Sequence, residues 1–231
     1  MDILPQASLF LGVIPALIIM YLSLKRYEGY YKDKNMFLTF IIGIIMGFIA
    51  AFVQSFTFSL SIIFIIILSF FDQLFKTVVL NLRRFHGKNE TPIYGLSLGL
   101  GFGSSFTPFM IIATAAISTN NTYILTLIAI GSIGIILFHG ATGAYIGFGV
   151  FQGKLTRFLI ISILLQIPFN LLLGLMISYS NINSLHMQII FICLVIVYGF
   201  LFFFYIIKKI LPLLIIQAER RKRSKKWDRN K

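Results

Sequence analysis

The sequence predicts an all-α, polytopic membrane helix bundle of about seven transmembrane helices, with its N-terminus outside and its C-terminus in the cytoplasm. Three observations predict it. The chain of 231 residues is 58% hydrophobic and only 12% charged, about half the charged share of soluble domains. Apolar segments of about 20 residues, the length that crosses a bilayer, recur between polar breaks. Basic residues fall on alternate connections between those segments, the pattern of the positive-inside rule.

The first span covers 7–24. It follows MDILPQ, which has no basic n-region, and Lys25 and Arg26 stand where a cleavage site of small residues would be. It therefore reads as a retained span rather than a secretory signal. Spans two and three cover 36–56 and 58–82, joined by a short turn near Gln54–Thr57. The fourth, 91–118, contains PIYGLSLGLGFGSSFTPF. There Gly95, Gly99 and Gly103 make a double GxxxG face continued by Thr107, a pattern of close helix packing. Ser97 and Ser104 share a neighbouring face, and Pro108 is expected to kink the span. Spans five to seven cover 122–151, 155–179 and 187–215; Pro168, flanked by Gln166 and Asn170, is a second expected kink. Residues 1–216 then form one transmembrane domain and 217–231 a basic cytoplasmic tail.

The net charge of +13 follows from this topology and points away from nucleic acid. Lys25, Arg26, Lys32 and Lys34 lie between spans one and two. Lys76, Arg83, Arg84 and Lys88 lie at the end of span three and after it, and Lys154 and Arg157 lie between spans five and six. The connections near Thr57, at 118–121 and at 180–184 have none. An even number of spans would break the alternation. The tail ERRKRSKKWDRNK is dense enough to attract anionic lipid headgroups, at about 1 kcal/mol per basic residue, and Trp227 adds an interfacial anchor. The expected setting is a cell membrane, with the bilayer as the principal partner. One cysteine, Cys193, excludes a disulfide framework and reads as a small packing residue.

Of seven acids, Asp72 alone lies in a span, in SFFDQLFKTVV. An ionisable group in a membrane is a functional candidate by default. Asp72 and Lys76 are four apart, on one helix face, and fit equally an interfacial ion pair in which Lys76 snorkels to the headgroups. His139 is the histidine well inside a span. Gly143 and Gly147 follow it at i+4 and i+8, a small-residue face that turns it inward, either as a hydrogen-bonded interhelical histidine or as a site residue.

In order, these features resemble the PrsW family of intramembrane proteases, distant relatives of the CAAX prenyl endopeptidases. That family's pattern is Glu-Glu-x-x-Lys at the end of one span, a Tyr-Gly…Gly-x-Gly-Phe-x-x-x-Glu-Asn span, and an inward His in the next. Here stand Asp72, Gln73 and Lys76, then Tyr94-Gly95 and Gly99-Leu100-Gly101-Phe102, then His139. The resemblance covers roughly residues 60–155. It implies a catalytic site at Asp72, Gln73, Lys76 and His139, in a substrate cavity near the cytoplasmic half, and a membrane-protein substrate or partner helix. The acids depart from the pattern: Asp72 and Gln73 stand for the two glutamates, and Phe106 and Thr107 for the Glu-Asn pair.

Metal dependence is likewise implied by the resemblance. Zinc catalysis takes three protein ligands and an open position, and the chain has no HExxH and no second inward histidine. A divalent metal at Asp72 and His139 is the one arrangement left, and no cofactor is expected. A metal-free route would use Asp72 as general base, with His139 or Gln73 holding the oxyanion. The residues thus leave a divergent peptidase, an inactive pseudoenzyme, or a non-enzymatic transporter, channel subunit or membrane-complex partner.

Overall fold

A computed structural model describes residues 3–57, 62–117, 122–180 and 185–214, and no strand occurs among them. The helices are α1 (Ile3–Leu24), α2 (Asp33–Thr57), α3 (Ile62–Leu80), α4 (Thr91–Ser104), α5 (Phe106–Ile117), α6 (Thr122–Gln152), α7 (Leu155–Ser180) and α8 (Leu185–Tyr205). The last continues through a π-helical turn, Ile206–Ile210. The basic tail with Trp227, and the connections at 58–61, 118–121 and 181–184, lie outside the described residues.

Six of these helices, α1, α2, α3, α6, α7 and α8, are long and apolar enough to cross a membrane. The fourth expected span differs: it is two helices of 14 and 12 residues, each too short to cross alone. The break at Ser105 has a local cause. Pro108 has no N–H to give the Ser104 carbonyl, the i−4 partner a continuous helix would require. That carbonyl instead lies against Gly12 of α1, where any Cβ would collide with it. The Ser105 hydroxyl donates to the carbonyls of Ile44 (2.7 Å) and Gly101 (3.3 Å), fastening the break to α2.

Every residue of α4 is buried. A helix apolar on all sides belongs at the centre of a bundle, and glycines on its neighbours and on itself let it sit there. A Cβ on Gly99 would strike the His139 carbonyl of α6, and one on Gly43 of α2 would strike the Leu98 carbonyl. The GxxxG face expected to pack closely does so, against the face that carries His139 and Gly143. Large apolar side chains such as Phe48, Ile66, Phe71, Leu164 and Leu201 cover the outside, more exposed apolar surface than a soluble monomer ordinarily carries. Cys193, read from the sequence as a small packing residue, lies on this exposed face. The connections α1–α2, α3–α4 and α6–α7, which carry basic residues, each turn through a glycine at positive φ: Gly29, Gly87 and Gly153.

Candidate functional site

α3 is an inside-out amphipathic helix. Ser69, Asp72, Gln73, Lys76 and Thr77 follow the spacing i, i+3, i+4, i+7, i+8 and share one face. All five are buried, while Ile63, Ile66, Ile67, Phe70, Phe71 and Val78 are exposed. Ser69 and Thr77 donate back to the carbonyls of Ile65 (2.7 Å) and Gln73 (2.8 Å), which satisfies their hydroxyls within the helix. The remaining three reach neighbouring helices, and the Ser69 oxygen also accepts from one.

The acidic half is held by amides. Asp72 Oδ2 accepts from Gln54 Nε2 of α2 at 3.0 Å and from Gln166 Nε2 of α7 at 3.3 Å. The Gln166 amide also donates to Asn170 Oδ1 at 2.7 Å, and Asn170 Nδ2 donates to Ser69 Oγ at 3.0 Å. Gln73 Nε2 donates to Gln166 Oε1, while Gln73 Oε1 is buried with no hydrogen-bond partner. α3 is thus joined to α7 by four side chains, Ser69, Gln73, Gln166 and Asn170, around one carboxylate.

The basic half faces α6. Lys76 Nζ donates to Thr142 Oγ1 at 2.6 Å and lies 3.1 Å from His139 Nδ1. An ammonium has only donors, so with Lys76 in that form the Nδ1 atom accepts and the imidazole proton sits on Nε2. The Thr142 hydroxyl in turn donates to the His139 carbonyl (3.0 Å). Lys76 Nζ also lies 5.1 Å from the Phe102 ring centroid, a cation–π contact. This corrects the expectation that Lys76 snorkels: the side chain is 1% exposed. The rotation of α3 turns its stem into the bundle, where acceptors wait, rather than along the helix toward headgroups.

Four phenylalanine rings close around His139. Phe106 stacks on the imidazole at 5.2 Å and 14°, Phe102 lies at 4.9 Å, and Phe138 and Phe169 meet it edge-on. Asp72, Gln73, Lys76 and His139 therefore share one interior region, with Lys76 as the link: Asp72 lies one turn before it, and its head meets His139. All four are 1% exposed or less, which leaves almost no surface that a water could touch. The expected cavity at these residues is a packed, closed cluster in this conformation. Lys76 Nζ faces the Nδ1 atom of His139, and among the described residues no three His, Cys, Asp or Glu side chains are grouped to hold an ion.

Gln54, Gln166, Asn170 and Thr142 complete the cluster and were not singled out as site residues by sequence. Signals existed for three of them: Gln166 and Asn170 are spaced i, i+4 on one face, and Thr142 follows His139 by about one helical turn; Gln54 had none. The chain matches no protein-family model, no curated protein and no solved structure.

Proposed function

We propose that the chain is a seven-span, PrsW-like membrane protein that has lost peptide hydrolysis and acts by binding a membrane-protein helix: a pseudoprotease. In this proposal α4 and α5 together make the seventh, broken crossing, with the N-terminus outside. The observation that carries the loss of hydrolysis is the Phe106 ring stacked on His139, at the position where the family pattern has a glutamate. The groups left over are engaged with one another. Asp72 accepts two amide donors, Lys76 is directed at His139 and Thr142, and there is no room beside them for the water that a general base would activate. Binding would use the polar face of α3 once α3 and α7 part. The unpartnered Gln73 Oε1 is the acceptor offered to a polar group on an incoming helix.

Purified protein incubated with candidate single-span substrates tests this. No cleavage is expected from the native chain. Cleavage that Asp72→Ala and His139→Ala both abolish would overturn the proposal in favour of an active protease. A second reading, a transporter or channel subunit, is favoured by the helix break at Ser105, since discontinuous helices line ion sites in transporters. Ion flux into reconstituted vesicles that disappears in Asp72→Ala would select it.

A further inference from the structure

A groove far from the α3 cluster lies between α1 and the start of α2. Leu17, Met20 and Leu24 of α1 and Met36 and Phe37 of α2 form its apolar walls, and Lys25, Glu28 and Tyr31 stand at its mouth. From Leu17 to Lys25 it runs about 12 Å along the helix axis, from the connection into the spanning region. Its floor is built, not a gap between loosely packed helices. Met20, Leu24 and Met36 are buried. Ser97 of the central α4 donates to the Met36 carbonyl at 2.6 Å and touches Met20 Sδ at 3.4 Å. The connection above is tied down as well, by the Lys32 amide donating to the Tyr94 hydroxyl at 3.1 Å.

We infer that this groove binds one acyl chain of an aminophospholipid, with the lipid phosphate on Lys25 and its primary ammonium on Glu28. The charges at the mouth select this occupant. A purely anionic headgroup would meet Lys25 but be repelled by Glu28. A quaternary ammonium has no N–H to give the carboxylate. Phosphoethanolamine carries both an anion and a hydrogen-bonding cation, and Lys25 and Glu28 line the same groove. Tyr31 supplies a third contact. Burial, then the Asp33 and Glu28 carboxylates, raise its phenol pKa, so at neutral pH it stays a hydroxyl able to donate to phosphate. The inference rests on the membrane setting and not on whether the α3 cluster hydrolyses or binds peptide.

Native mass spectrometry of the detergent-purified chain, titrated separately with phosphatidylethanolamine, phosphatidylglycerol and phosphatidylcholine, tests it. Phosphatidylethanolamine is expected to give the most persistent one-lipid adduct. Glu28→Gln should lower its affinity about fivefold, which is about 1 kcal/mol, and leave phosphatidylglycerol unchanged or tighter. Lys25→Gln should weaken both, and Leu17→Trp, which fills the groove, should remove adducts of every class. Lys25 and Glu28 are exposed, so both charge variants should keep the native melting temperature. Equal adducts for all three lipids, or a preference for phosphatidylglycerol that Glu28→Gln does not alter, would overturn the assignment.

Discussion

Lys76 ties α3 to α6. Buried one turn from Asp72, it directs its head at His139 and Thr142 of α6. Lys76→Met withdraws both contacts and leaves their buried partners without this donor, so it is expected to destabilise the fold by about 2 kcal/mol. Thermal unfolding in detergent measures this, and an unchanged melting temperature would show that the lysine does not fasten α3 to α6. Gln166→Leu withdraws a donor from Asp72 and an acceptor from Gln73, and should cost about 2 kcal/mol in the same assay. Asp72, Lys76 and His139 were legible in the sequence because ionisable groups are rare within spans. Gln54, Gln166 and Asn170 were not, because neutral amides in apolar helices have many uses and only the fold says which of them meet. The fate of the Lys76 head was misread for a related reason: helix rotation, not sequence position, decides whether a long side chain runs inward or to the interface.

At the scale of elements, the bundle depends on how closely α4 and α6 approach. The Gly99 position has the His139 carbonyl where a side chain would begin. Gly99→Ala should therefore destabilise by about 2 kcal/mol and displace His139. Gly131→Ala on α6 is the control. Its new methyl would meet Ile192 at an ordinary 3.5 Å, and the change should stay within about 0.5 kcal/mol. This packing was readable beforehand, because small residues at four-residue spacing have one dominant use in membrane helices. The division of 91–118 into α4 and α5 was only half readable. Pro108 announced an interruption, but whether the helix bends or stops depends on Gly12 of α1 and Ile44 of α2, which lie distant in sequence.

At the scale of the whole molecule, the helical character expected from composition is observed, with six helices long and apolar enough to cross a membrane. The number of crossings is a different matter, because it depends on whether α4 and α5 cross as one unit. In a Cys193→Ser background, single cysteines at Lys88 and Asn120, which flank α4 and α5, should be labelled from opposite sides of sealed vesicles, with Lys88 on the cytoplasmic side. Labelling of both from one side would exclude the seven-crossing arrangement. The polar face of α3 bears on how the molecule comes to exist at all. During synthesis α3 emerges with one partner already made, Gln54, while His139 and Gln166 follow 63 and 94 residues behind the groups they satisfy. Until α6 and α7 are translated, Asp72 lacks its Gln166 donor and Lys76 lacks both of its hydrogen-bond partners. A chain ending at Ile117 should therefore leave α3 poorly retained in the bilayer and open to quality-control proteolysis. The helix that looks most like an active site is also the one whose membrane residence is conferred last, by sequence not yet made when it leaves the ribosome.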